Sequence, residues 1–215
     1  MLPSSHIDRP KGPDLQSCTG SNAVLRILSG SHGGRVIRAP KGRHTRPTAS
    51  RVRGAIFDML AHHPTHACPC EGTRVLDLYA GSGALGIEAL SRGASGAVLV
   101  ERDRSAAAIL RRNVRDLALE EQAEVWQLDA RRAVARLAAA ERRFELLLLD
   151  PPYAETNSTS EIIQALVSGG LVAPGALLVL EHAADQEAPD APGLDAPLAR
   201  RWGDTEVLFY RHGGS

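Results

Sequence analysis

The sequence predicts an α/β fold, a mostly parallel sheet covered by helices on both faces, and three observations predict it. From Thr73 onward, short apolar stretches alternate with longer amphipathic ones, the pattern of repeated βαβ units. Stretches such as Leu146-Leu-Leu-Leu149 are continuously apolar, as strands buried on both faces must be. A glycine cluster, Gly81, Gly83 and Gly86, sits where the first strand would pass into the first of the alternating helices.

Taken in order, residues 1–22 are rich in Pro, Ser and Gly without an apolar core, and are expected to be a disordered tail rather than a signal peptide. Ala23–Leu28 and Arg35–Ala39 are short alternating runs joined by the Ser/Gly segment Ser29–Gly34, so they predict a β-hairpin. Thr48 is a plausible N-cap for a helix carrying Val52, Ala55, Ile56, Met59 and Leu60 on one face. Residues 23–62 thus read as a hairpin arm and helix, and residues 63–215 as the main domain. Within it, Arg74–Leu78, Ala97–Val100, Ala123–Leu128, Phe144–Leu149 and Ala176–Leu180 are expected strands. Ala84–Ser91, Arg104–Leu117, Arg131–Ala140 and Ser160–Ser168 are the expected helices between them. Asp185–Pro197 reads as a loop, and Glu206–Arg211 as the last strand.

The 215 residues carry 25 basic and 25 acidic side chains, a balance unlike that of a histone-like polyanion binder. The distribution is uneven. Arg26, Arg35, Arg38, Lys41, Arg43, Arg46, Arg51 and Arg53 fall between Asn22 and Phe57 with no acid among them, which makes the stretch a candidate phosphate-binding surface. No apolar run approaches the ~18 residues that span a bilayer, so a cytoplasmic protein is expected. Cys18, Cys68 and Cys70 cannot all pair and are expected to be reduced. The His62–Cys70 segment matches no zinc spacing, and no metal is expected.

Gly81, Gly83 and Gly86 satisfy a nucleotide-binding fingerprint that serves several cofactors. Glu101, at the end of the second strand of this domain, is placed to accept ribose hydroxyls, which suits a nicotinamide cofactor as well. Asp77 at the tip of the first strand would repel a pyrophosphate but attract the ammonium of S-adenosylmethionine, so the methyl donor fits better. Asp129, at the tip of the third, could accept the adenine amino group while capping the next helix. The strongest local signal is Asp150-Pro151-Pro152-Tyr153 at the end of an apolar strand. Two prolines remove two backbone donors and leave a set of acceptors able to hold both protons of an exocyclic amine, with Tyr153 placed to stack on the base. The chemistry expected of these residues is methylation of a base amino nitrogen. Because the amine can lose its proton after methyl transfer, Asp150 is expected to act in its ordinary ionised form.

The run Asp77–Gly93 together with Asp150–Tyr153 resembles the RsmD-type bacterial methyltransferases of 16S ribosomal RNA. Arg46–Arg53 and Trp202–Thr205 are similar to that family's N-terminal and C-terminal motifs. The resemblance implies a Rossmann-like class I methyltransferase fold, with seven strands and the last one antiparallel. It implies N2-methylation of the small-subunit guanine usually numbered 966. It also implies that Thr48 and the glycine loop, with Tyr79 inside it, hold S-adenosylmethionine, that Glu101 takes its ribose, and that Asp150, Pro151, Pro152 and Tyr153 hold the guanine. The basic residues Arg35, Arg38, Lys41, Arg43 and Arg46 are assigned to RNA phosphates. The expected partner is 16S rRNA within a small-subunit particle, met by a monomer. An adenine-N6 or cytosine-N4 DNA methyltransferase shares the same acceptor chemistry, and an NAD-dependent oxidoreductase or a silent nucleotide-binding module would share the glycine loop alone.

Overall fold

The structure is a computed structural model, and it describes residues 23–40, 47–152 and 156–213. A two-stranded hairpin, β1 (Ala23–Arg26) and β2 (Val36–Ala39), leads into α1 (Pro47–His62). The alternating unit follows: β3 (Arg74–Leu78), α2 (Ala84–Ser91), β4 (Gly96–Val100), α3 (Arg104–Asp116), β5 (Ala123–Trp126), α4 (Ala130–Ala139), β6 (Phe144–Leu149), α5 (Thr156–Ser168) and β7 (Val172–Ala183). Two further strands, β8 (Leu198–Trp202) and β9 (Thr205–Arg211), complete a seven-stranded sheet of order β5-β4-β3-β6-β7-β9-β8. The strands from β5 to β7 pair in parallel, and β9 runs antiparallel to both β7 and β8.

Alternation of side chains along each strand splits the core into two layers. Val75, Leu99, Leu146, Leu148 and Val179 face one side, where they pack with Ile56, Phe57, Ile87 and Leu110 of the first three helices. Leu76, Leu78, Leu147, Leu149 and Leu180 face the other, against Val134 and Leu137 of α4 and Ile162 and Leu166 of α5. Both layers follow from continuously apolar strands in a parallel sheet.

The hairpin is docked rather than projecting. Leu25, Ile27, Ile37 and Ala39 join the first layer, and the buried Glu88 of α2 accepts the Leu28 and Ser29 amides at 2.7 and 3.1 Å. The Asn113 amide of α3 donates to the Arg38 and Ser82 carbonyls at 2.8 and 2.9 Å. Charge is also satisfied inside: Glu88 pairs with Arg92 at 2.8 Å and lies 3.9 Å from Arg53. Arg53 is therefore a core residue, not part of a solvent-facing basic surface, and only 5% of it is exposed.

The segment expected to be a loop is followed by β8, which the sequence pattern does not reveal. Its residues, Leu-Ala-Arg-Arg-Trp, form an edge strand that buries none of its side chains fully, so the apolar signal is weak. It pairs with β9 across a turn at Gly203, whose φ of +62° is in the left-handed region. Strand β7 also extends beyond the expected Ala176–Leu180, and α5 begins before Ser160.

Candidate active site

Three carboxylates meet at the carboxyl ends of neighbouring strands. Strand registers Leu78 to Leu149 and Leu149 to Leu180 bring Asp77, Asp150 and Glu181 to one edge of the sheet, the position where open α/β sheets bind ligands. All three line an open cavity with Tyr79, Gly81 and Ser82, closed on the hairpin side by Leu25, Pro40, Arg53 and Ile56.

Asp77 is the most constrained of them. It is 1% exposed, and its Oδ2 accepts the Gly86 amide at 2.8 Å. Its Oδ1 is buried and has no hydrogen-bond partner. Burial, opposed by the Gly86 hydrogen bond, pushes its carboxyl up to about 8. Asp150 is likewise pushed up, to about 7, by burial. The sequence-based expectation of an ordinary ionised Asp150 is corrected accordingly: its charge at neutral pH depends on what enters the cavity.

The glycine loop is fixed by local geometry. Tyr79 has φ +66°, a left-handed conformation that costs a bulky residue on the order of 1–3 kcal/mol and persists because its surroundings over-determine it. Glu101 clamps the loop from β4: one oxygen accepts the Gly81 amide at 2.9 Å and the other the Asp103 amide at 2.7 Å. Each oxygen retains acceptor capacity for a hydroxyl. The three glycines do different things. Gly81 lines the cavity, whereas a Cβ on Gly83 would lie 2.4 Å from Leu110 and one on Gly86 2.3 Å from Leu99. Those two glycines serve packing and leave ligand contact to Gly81.

Asp129 caps α4 by accepting the Arg131 amide at 3.0 Å and is exposed outside the cavity lining. Pro151 is buried and Pro152 exposed. Tyr153, Lys41, Arg43 and Arg46 lie outside the described residues, and Thr48 is the second residue of α1 rather than its expected N-cap, with its side chain undescribed. Arg35 donates to the Asp116 carbonyl at 2.7 Å, and Arg38 pairs with the Asp116 carboxylate, so α3 supplies the acid that the basic run lacks. Arg53, Ser82 and Glu181 are cavity residues that the sequence pattern did not single out as ligand contacts. For Arg53 the signal was present, since it falls on the same helical face as Ile56 and Leu60.

A cavity with this composition suits a small cation. The orphaned Asp77 oxygen needs a donor, which an ammonium supplies. The N-terminus of α2, where Gly83 provides no side-chain cap and Ala84 and Leu85 line the wall, favours a carboxylate. S-Adenosylmethionine presents both groups, and its sulfonium gains from the acidic surroundings. A pyrophosphate would face three carboxylates.

Comparison with known proteins finds relatives that match most of this chain. The family model described as Conserved hypothetical protein 95 matches residues 25–211. A protein of Bacillus subtilis strain 168 named "Putative rRNA methyltransferase YlbH" is 36% identical over 192 residues, covering 88% of this chain and 100% of that one. The "Ribosomal RNA small subunit methyltransferase D" of Escherichia coli K12 is 34% identical over 168 residues, 78% of this chain and 79% of its own. A solved structure titled "Putative methyltransferase yhhF from Escherichia coli" superimposes with a TM-score of 0.76 at 29% identity, covering 90% of this chain and 100% of that one.

Proposed function

This chain belongs to the family described as Conserved hypothetical protein 95, and on that premise we propose that it transfers a methyl group from S-adenosylmethionine to the exocyclic N2 of a guanine in 16S ribosomal RNA. The fold is that of a Rossmann-like class I methyltransferase. The observation that carries the reading is the unpartnered Asp77 oxygen in an acidic cavity that Asp150 also lines. The names of two relatives that align over most of this chain point to ribosomal RNA, and one of them to the small subunit.

S-Adenosylmethionine, when bound, supplies an electrophilic methyl carbon on a positively charged sulfur. Asp77 takes the ammonium, and Glu101 holds both the glycine loop and the ribose. The Asp150 carboxylate and the Pro151 carbonyl accept the two amino protons, which favours a pyramidal nitrogen and frees its lone pair. The bound donor would supply the methyl carbon that this lone pair takes and would leave as the neutral thioether, and the surplus proton would leave the nitrogen afterwards. Asp150, with its carboxyl near 7, can receive that proton at neutral pH. Tyr153 stacks on the base, and Arg35, Arg38, Lys41, Arg43 and Arg46 hold phosphates.

Nucleoside mass spectrometry of ribosomal RNA tests the reading. A strain lacking the gene loses one N2-methylguanosine from 16S rRNA and regains it on complementation. An unchanged modification profile contradicts it.

A further inference from the structure

Among the described residues, Arg53 is the only cation in the walls of the active-site cavity, whose other charged walls are the carboxylates of Asp77, Asp150 and Glu181. It comes from α1 and is 5% exposed. Its Nη2 donates to the Arg26 carbonyl, at the end of β1, at 2.6 Å. Its Nε is buried with no hydrogen-bond partner, because the Glu88 oxygen that faces it lies 3.9 Å away.

Glu88 is already engaged elsewhere. It pairs with Arg92 at 2.8 Å and accepts the Leu28 and Ser29 amides of the hairpin. Burial weakens the hold of the Arg53 guanidinium on its proton, an effect that Glu88 opposes and Arg92 reinforces. A buried guanidinium with an unmade hydrogen bond and a shared counter-ion is costly, and an added anion relieves that cost. The donor carries one such anion: the carboxylate of S-adenosylmethionine sits on the same carbon as the ammonium assigned to Asp77. Every ionised wall of the cavity except Arg53 repels it. Ala84 and Leu85, at the N-terminus of α2, wall the same cavity and add amide donors to the guanidinium.

We propose that Arg53 binds the carboxylate of S-adenosylmethionine and thereby ties donor occupancy to the docking of the hairpin. The inference rests on S-adenosylmethionine being the donor, and it assigns the half of the amino-acid group that Asp77 does not hold. The hairpin is involved because Leu25 of β1 and Pro40, next to β2, close the cavity, and because the same guanidinium holds the Arg26 carbonyl. A hairpin that lifts away takes two walls and an anchor of Arg53 with it. The donor therefore favours the docked state, and a ligand that binds only that state suppresses opening by the factor 1 + [L]/Kd. Arg35 and Arg38 belong to this hairpin, so the donor-loaded protein holds its RNA-facing arm in place before RNA arrives.

The test compares S-adenosylhomocysteine with its descarboxy analogue, which keeps the ammonium, on the full chain. By calorimetry the wild-type protein is expected to bind the carboxylated ligand about ten- to a hundredfold more tightly, the range of a charge-assisted hydrogen bond. In Arg53→Met the preference should fall to within about threefold through lost affinity for S-adenosylhomocysteine alone, and Arg53→Lys, which keeps the charge, should restore part of it. Hydrogen exchange of the Leu28 and Ser29 amides is read in the wild-type protein with each ligand at about a hundred times its own Kd. S-Adenosylhomocysteine should slow it by up to about a hundredfold, and the analogue at least about threefold less. These wild-type measurements carry the test if the Arg53 variants do not fold. Equal wild-type affinities for the two ligands, or a preference unmoved in Arg53→Met, would overturn the role of Arg53. Equal protection of the two amides by both ligands would overturn its link to the hairpin. Failure of both ligands to bind would instead overturn S-adenosylmethionine as the donor.

Discussion

Asp77 holds the amide of Gly86 at 2.8 Å through one carboxylate oxygen and leaves the other buried without a partner. The hydrogen bond joins the tip of β3 to the first turn of α2 and requires a residue without a side chain, because a Cβ on Gly86 would lie 2.3 Å from Leu99 and 3.0 Å from Asp77. Gly86→Ala is expected to destabilise the protein by about 1–3 kcal/mol through overpacking and to weaken donor binding by displacing Asp77. Urea unfolding and calorimetry measure the two effects. A variant that folds with wild-type stability would show that α2 shifts freely away from β3.

Donor binding should release protons near neutral pH. Asp77 and Asp150 have carboxyls raised to about 8 and about 7 by burial, and a bound cation favours their ionised forms. Affinity for S-adenosylmethionine should therefore rise as pH increases from 6 to 8. The linkage to folding has the opposite sign. A raised carboxyl contributes stability fully present below its unfolded value near 4 and lost as pH rises through 7 to 8, so the donor-free protein should melt at lower temperature at pH 8 than at pH 5 through these groups. Calorimetry in phosphate and in Tris buffers reads the proton release directly. Identical binding enthalpies in the two buffers would remove the charge coupling.

Asp150→Ala should leave donor affinity within a few fold of wild type but lower turnover at least about a hundredfold, because its hydrogen bonds to the amine strengthen as the nitrogen pyramidalises. Single-turnover methyl transfer at saturating donor isolates that step. Near-normal turnover would show that Asp150 does not orient the amine.

Salt dependence tests the basic segment. Arg35 and Arg38 are held against Asp116 of α3, and RNA phosphates compete with that residue for them. Arg35→Ala and Arg38→Ala each remove one cation from the phosphate backbone, and each should flatten the salt dependence of RNA affinity by about 0.7–0.9 in slope, with donor affinity unchanged. An unaltered slope would assign both side chains to holding the hairpin on α3.

How much of this was legible in the sequence follows from where each signal resides. Alternating apolar and amphipathic stretches revealed the parallel sheet because strands such as β6 bury both faces, and the helix α2 was legible to its ends. Strand β8 was hidden because an edge strand with two arginines carries no period. Asp77, Glu101 and Asp150 were legible because each stands at a strand tip beside a turn. Glu88 was not, since an acid inside an apolar helix looks like a surface charge, and Arg53, although in phase with Ile56 and Leu60, is masked by the basic run around it; the fold brings the two 3.9 Å apart under the hairpin.

The central claim is tested most directly by incubating the purified protein with methyl-labelled S-adenosylmethionine and small-subunit RNA or particles from cells lacking the gene, with DNA offered in parallel. Label recovered as N2-methylguanosine from 16S rRNA, and none from DNA, is the expected result. Label in N6-methyladenine or N4-methylcytosine of DNA, with none in ribosomal RNA, would contradict the assignment.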